Sequence, residues 1–354
     1  MKFPWKNGVF AAEGFAKKSL LLGRALPPAE PWSTAPDWVQ ANESHIEKTL
    51  ARALARPSGG WLVVAPSRAV DTVPRSHVLA GREYIAWRDG DGAHVAPTAC
   101  PHMGASLACA DVKNGAVVCP WHGLRLGPRG HGDWKHAPSF DDGVLLWARL
   151  EEADAPTERP ILAPRPAKFL DAVISMEASC DPSDIVANRL DPWHGVHYHP
   201  HSFSELTVLS VTPDVITLRV TYRIAGPVGM AVDATFHSPE PNSIVMTIVA
   251  GEGVGSVVET HATPVAPGRV RVIEATLATS DRPGFSGAVR AARLLRPLVE
   301  TRARRLWVED CAYAERRYAL RQGDAPRGGP EQTTPLLRIR SGRPTKPRVE
   351  RGAS

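Results

Sequence analysis

Two short stretches gather the residue types that hold metals. In "CPHMGASLACADVKNGAVVCPWHG" (100–123), one cysteine is paired with one histidine twice. The pairs are Cys100-x-His102 and Cys119-x-x-His122, with sixteen residues between His102 and Cys119. Zinc is the commonest occupant of paired Cys/His, but its knuckles usually pair C-x-x-C with a second C-x-x-C or with H-x-H. Pairs that each mix a thiolate with an imidazole fit a two-iron, two-sulfide cluster better, because there one iron takes both thiolates and the other both imidazoles. Gly104 and Gly123 stand just beyond the histidines, where the backbone must turn tightly and bring N–H groups near sulfide. Pro101 and Pro120 follow the cysteines and stiffen the loops.

The second stretch, "ANRLDPWHGVHYHPHSF" (187–203), holds Asp191, His194, His197, His199 and His201 within eleven residues. A non-haem Fe(II) that activates O2 is typically held by two histidines and one carboxylate, with open positions left over. On one continuous helix Asp191, His194 and His197 share a face. Helical spacing therefore selects His194 and His197. Residues five apart diverge by about 140°, which disfavours His199 unless Pro200 ends the helix and lets it swing back. The third ligand must come from elsewhere. Val299, Ala303, Leu306, Asp310 and Tyr313 follow a 4-3-4-3 apolar spacing, and Asp310 puts a charge on that face. A buried carboxylate needs a cation or full hydrogen bonding. A metal would serve, and so would one of the nearby arginines; spacing does not choose between them. Glu309 is expected to point elsewhere.

These residues need elements to position them. The sequence predicts an α+β protein with an N-terminal arm and helix (1–57), a small antiparallel β domain (58–155), a second domain (156–321) and a basic tail (322–354). In the arm, "NESHIEKTLARALARP" reads as a helix capped at Asn42, apolar at Ile46, Leu50 and Leu54, and stopped at Pro57. Short alternating runs at 61–67, 83–96, 116–120 and 143–153 predict the first domain's strands. The proline-rich segment 154–168 reads as a linker. A helical stretch over 181–199 follows, then five alternating runs within 206–279, with "PVAPGRV" as a hairpin turn. Strands followed by a helix suggest one curved antiparallel sheet. The spacing predicts a long helix over 285–320, kinked at Pro297.

Composition excludes several classes. No run of about 18 apolar residues occurs, so no transmembrane segment is expected. The charged start "MKFPWKNGVFAAEGFAKKSLLLGRAL" argues against a signal peptide, so a cytoplasmic location is expected. The apolar positions between Val9 and Leu26 fit an arm packed on the protein better than weak peripheral membrane contact. The net charge of +5 is concentrated in the tail. It reads as a solvated surface or a face for an acidic partner, not as a nucleic-acid site. Five cysteines make no disulfide framework. Cys109, Cys180 and Cys311 are expected to be small buried residues.

"CPHMG…CPWHG" resembles the Rieske iron–sulfur motif, which carries thiolate roles over to Cys100 and Cys119 and imidazole roles to His102 and His122. Respiratory Rieske proteins have an extra disulfide-forming cysteine in each loop; here Ala105 and Trp121 stand at those positions. "ANRLDPWHGVHYH" resembles the N-x-x-D-x-x-H-x-x-x-x-H signature of Rieske-type non-haem iron aromatic-ring-hydroxylating oxygenases, as an α-subunit-like oxygenase component. Asn188, Asp191, His194 and His199 match it in order, and "DCAYAE" (310–315) matches the context of the family's metal aspartate at Asp310. His197 and His201 fall outside the signature.

The resemblance implies a Rieske [2Fe-2S] domain followed by a helix-grip (START-like) catalytic domain, with a curved antiparallel sheet and a long C-terminal helix. It implies mononuclear Fe(II) at His194, His199 and Asp310, O2 as co-substrate, and electrons from a partner reductase or ferredoxin. It implies a homotrimer in which Asp191 joins His194 to His122 of the next chain. The expected reaction is hydroxylation, demethylation or desaturation of a hydrophobic organic substrate, in a pocket for which Trp193, Tyr198 and Phe203 are candidates. The rival is a Rieske electron-transfer or redox-sensing protein without oxygenase turnover.

Overall fold

The computed structural model describes residues 24–25, 43–150, 155–225 and 228–323. The expected arm between Val9 and Leu26, the cap at Asn42 and the basic tail lie almost wholly outside them. Strand β1 (Arg24–Ala25) pairs with a strand of the second domain, described below as β14. Helix α1 (Glu43–Leu54) buries Thr49, Leu50 and Ala53. Leu54, expected on the buried face, is exposed.

Three small antiparallel sheets make the first domain. One is β2 (Trp61–Pro66) with β9 (Ser139–Asp141) and β10 (Leu145–Arg149). The second is β3 (Arg75–Leu79), β4 (Arg82–Asp89) and β5 (Gly92–Pro97). The third is β6 (Asp111–Lys113), β7 (Ala116–Val118) and β8 (Arg125–Leu126), which carries the Cys/His loops. Strands β3, β6, β8 and β9 add to the runs read from the sequence. Three of them have two or three residues, too few for a period-2 pattern to register.

The second domain opens with β11 (Leu170–Ala178), α2 (Pro182–Leu190) and α3 (His194–Tyr198). A run of hairpins follows: β12 (Phe203–Val211), β13 (Ile216–Ala225), β14 (Val228–His237), β15 (Ser243–Gly251), β16 (Val257–Ala266) and β17 (Arg269–Ala278). The sheet order is β11-β17-β16-β15-β14-β13-β12, antiparallel throughout. Strands β11 and β14 are absent from the five runs expected. "LDAVISMEA" buries consecutive residues at its centre, which masks alternation.

Two helical expectations are corrected. The stretch 181–199 is two helices, because Asp191 leaves helical geometry (φ −108°, ψ 73°) ahead of Pro192. A proline disfavours helical backbone in the residue before it. The C-terminal helix is also two: α4 (Phe285–Arg290) and α5 (Ala292–Gln322) part at Ala291, and Pro297 lies inside α5. Cys109 is exposed with φ +61°, against the expected burial, whereas Cys180 and Cys311 are buried.

The two domains share a core. Trp61, Val63, Leu145 and Trp147 pack with Val173, Val257, Ile273 and Leu277. Beside this core, Arg165 reaches both domains. Its guanidinium lies 2.9 Å from Asp142 of the first and donates twice, at 2.6 Å, to Glu259 on β16. On the sheet's other flank, Trp307, Cys311 and Ala314 of α5 pack against Ile174, Ala262 and Val272.

Candidate metal centres

The two Cys/His loops repeat one backbone plan. The N–H of Cys100 donates to Ala105 O (2.8 Å) and that of Gly104 to Cys100 O (2.8 Å). The N–H of Cys119 donates to Leu124 O (2.9 Å) and that of Gly123 to Cys119 O (2.9 Å). Gly104 (φ +76°) and Gly123 (φ +72°) both adopt the left-handed conformation that closes each loop. Both thiols are buried, while His102 and His122 are exposed with ring centroids 4.8 Å apart. Backbone N–H groups of His102 and Met103 face the Cys100 sulfur, and those of Trp121 and His122 face the Cys119 sulfur. Burial pushes the Cys100 thiol up. At Cys119 burial also works upward, but the N–H of Trp121 and the Cys100 neighbour outweigh it and the thiol is lowered. Paired loops, with sulfur inside, imidazole outside and N–H groups turned to the sulfurs, fit a mixed-ligand cluster.

The second centre is assembled from α3 and α5. The N–H of His194 Nδ1 donates to the backbone oxygen of Asp191, and Nε2 lies 3.0 Å from Asp310 Oδ1. His199 caps the C-terminus of α3, and its Nε2 lies 2.9 Å from the same Oδ1. The ligand atoms of His194, His199 and Asp310 all fall within 4.8 Å of one another. The helix break at Asp191 and the end of α3 at Tyr198 free His199 from the five-residue divergence, so His199 is the partner of His194. Among the described hydrogen bonds, none runs from His197 to this cluster. Asn188 Nδ2 donates to Asp310 Oδ1 at 3.0 Å. Asp310 is fully buried and, among the described ion pairs, meets histidines only, so no arginine neutralises it.

Glu309 does not point elsewhere. Its Oε2 lies 2.5 Å from His199 Nδ1 and 3.8 Å from His201 Nε2. His194 and His199 thus each have Nδ1 fixed by an outer acceptor and Nε2 aimed at Asp310, the arrangement by which outer partners orient metal ligands. Sequence spacing could not show this, because neighbouring helical residues diverge by about 100° and only the bend of the chain after α3 brings His199 round to Glu309.

The electrostatics agree. Burial disfavours charge on His194, but its bonds to Asp191 and Asp310 outweigh burial and hold it up to about 10. Burial would raise Asp310; the two histidines reverse this and hold its carboxyl well below the usual range. The site therefore keeps a carboxylate charged in a buried place. Three buried oxygens here, Asn188 Oδ1, Asp191 Oδ1 and Asp310 Oδ2, have no partner among the described residues. Asp191 Oδ2 accepts from Tyr313 at 3.2 Å. Two imidazoles, one carboxylate and an orphaned carboxylate oxygen fit a facial-triad metal.

A cavity of about 160 Å³ opens beside the triad between the sheet and α5. Phe203 lines it with Leu218, Val220, Phe236, Met246 and Leu306. Trp193 instead belongs to the core, and Tyr198 is exposed.

Comparison with known proteins agrees with this layout. Residues 60–149 match the Rieske [2Fe-2S] domain, and residues 151–325 match a domain of unknown function, DUF5914. Aminopyrrolnitrin oxygenase PrnD of Pseudomonas fluorescens is 29% identical over 128 residues, 35% of this chain and 34% of that protein. The oxygenase component of chloroacetanilide N-alkylformylase from Rhizorhabdus wittichii is 27% identical over 176 residues, 44% of this chain and 50% of that protein. The chain thus spans half or less of the length of these curated relatives. Two solved structures share the fold. Dicamba monooxygenase bound to dicamba has a TM-score of 0.56 at 16% identity, covering 77% of this chain and 92% of that one. The terminal oxygenase of carbazole 1,9a-dioxygenase from Novosphingobium sp. KA1 has a TM-score of 0.53 at 13% identity, covering 81% and 90%. A Rieske domain joined to a seven-stranded antiparallel sheet and a long C-terminal helix is the fold this chain shares with them. Residues 60–149 are thus a Rieske [2Fe-2S] domain, and the curated relatives that the chain matches in part are oxygenases.

Proposed function

We propose that this chain is the oxygenase component of a system that oxidises a hydrophobic organic molecule with O2, using electrons from a partner reductase or ferredoxin. The observation that carries the reading is the convergence of His194 Nε2 and His199 Nε2 on one Asp310 oxygen, at the wall of an apolar cavity, in a chain that also has a Rieske domain. Cys100, His102, Cys119 and His122 hold the cluster, and His194, His199 and Asp310 hold Fe(II). When bound, the two centres supply one-electron storage and O2 activation. Asn188 and Glu309 orient Asp310 and His199 from outside. The apolar walls bind substrate and exclude water. The proposed division of the chain is 58–155 for the cluster domain and 156–321 for the catalytic domain.

Asp191 is the proposed link between chains of a homotrimer. Its Oδ2 is held by Tyr313 while its buried Oδ1 is unpaired among the described residues, which leaves an acceptor for the partner's His122. Among the described residues no helix is long and apolar enough to cross a membrane.

The test is O2 consumption by purified protein with a surrogate reductase. The reading expects consumption that rises with a converted substrate and stops in Asp310→Ala. Reductant-dependent reduction of the cluster with no substrate conversion across a broad panel of hydrophobic compounds would instead identify an electron-transfer or sensing protein.

A further inference from the structure

The metal accounts for Asn188, His194, His199 and Asp310 on the cavity wall, but two other charged residues line the same cavity and have no part in it. Arg189, on α2, and Glu274, on β17, meet through one long contact, Arg189 Nη2 to Glu274 Oε2 at 3.3 Å. Their side chains are only 14% and 5% exposed. Glu274 is pinned from the protein side: the same Oε2 accepts Trp307 Nε1 at 2.7 Å and Thr260 Oγ1 at 3.4 Å. The guanidinium of Arg189 lies over the Trp307 ring, 5.5 Å from its centroid. Trp307 thus fixes the carboxyl with its edge and supports the cation with its face.

Arg189 is the under-satisfied member. A guanidinium carries five N–H donors in a rigid fork, and among the described hydrogen bonds Arg189 uses one of them. A cation held so loosely in an apolar cavity is costly unless a further acceptor completes its fork. Glu274 satisfies it poorly, because the one oxygen that Arg189 reaches at 3.3 Å is already shared with Trp307 and Thr260. The missing acceptor is best matched by two parallel oxygens carrying negative charge, the bidentate partner of a guanidinium.

We propose that Arg189 is the specificity-determining residue of this cavity, and that the cavity takes an apolar molecule bearing a carboxylate. The proposal rests on the oxygenase reading for what happens to that molecule, but its binding does not require turnover. The apolar body lies against Phe203, Val220 and Phe236, with the carboxylate on Arg189. Substrates with a cationic head group are disfavoured by the same residue.

Three probes of one skeleton test this by fluorescence titration of the protein as purified with its metals: 4-tert-butylbenzoate, 4-tert-butylbenzylamine and 4-tert-butyltoluene. The benzoate should bind about tenfold or more tighter than the other two, the increment of one charge-assisted bidentate pair. In Arg189→Met/Glu274→Gln, which leaves no lone buried charge, that preference should vanish with the hydrocarbon affinity kept. Glu274→Gln alone should keep or tighten benzoate binding. Equal affinities in the unaltered protein, a preference for the amine, a parallel loss for all three probes in the double variant, or weaker benzoate binding in Glu274→Gln would each overturn the proposal. A protein that prefers the benzoate but consumes no O2 would fail the oxygenase reading and leave this one standing.

Discussion

Cys100, His102, Cys119 and His122 come from two loops that share one backbone plan, whereas His194, His199 and Asp310 come from helices separated by 116 and 111 positions in the chain. The loops need only short spacings and a left-handed glycine each to place a buried sulfur beneath an exposed ring. The triad depends on the whole second domain: a helix broken at Asp191, a chain turn after Tyr198 and the docking of α5 across the sheet. A local site tolerates change elsewhere in the fold. A non-local site inherits every error in packing, and outer groups such as Asn188 and Glu309 must hold its ligands in place.

That contrast can be broken by taking the two centres apart separately. Asp310→Asn should cost the largest factor in substrate oxidation, more than about 100-fold, since an outer partner alone is worth about 10–100-fold. The visible spectrum of the cluster should survive, because the loops share no residue with the triad. Cys119→Ser should do the reverse: the cluster absorbance disappears while the mononuclear metal is retained, as metal analysis would read. Asp191→Asn should keep both metals and lose most turnover. Retained full activity with coupled O2 use would count against the link between chains.

A smaller effect sharpens the comparison. Glu309→Gln should weaken iron retention about tenfold, read as the chelator concentration that strips the mononuclear site, with the cluster spectrum unmoved. The smallest concerns the contact between domains. Arg165 and His261 outweigh the burial of Glu259 and hold its carboxyl at about 2, against a usual 4.5. A folded-state value below the unfolded one stabilises the fold above about pH 4.5 and loses that stabilisation as pH falls toward 2. Melting temperature should therefore drop steeply between those values, and less steeply in Glu259→Gln. Equal slopes would remove Glu259 from the account.

The Cys/His loops are the more legible in the sequence, because the backbone bonds that shape each one span at most five residues. The triad is legible only in part. Helical periodicity selects His197 beside His194, and the resemblance selects His199. The fold explains why, since Asp191-Pro192 breaks the helix on which that periodicity depends. Asp310 is legible as a charge on an apolar face, but spacing does not choose between a metal and an arginine as its partner. The role of Glu309 is not legible, because side-chain direction on α5 says nothing about where a chain segment more than a hundred residues away turns. Strand β11 is hidden in the sequence because burial on both faces removes the alternation that marks a strand.

Metal content in two proteins, the unaltered chain and Asp310→Ala, is the most direct test of a cluster beside a separate ferrous centre. Iron and acid-labile sulfide should be found at about three and two per chain in the first, and about two and two in the second, with the same cluster spectrum. Zinc in place of iron, or an iron count that Asp310→Ala leaves unchanged, would contradict the claim that this chain keeps a cluster and a separate ferrous centre.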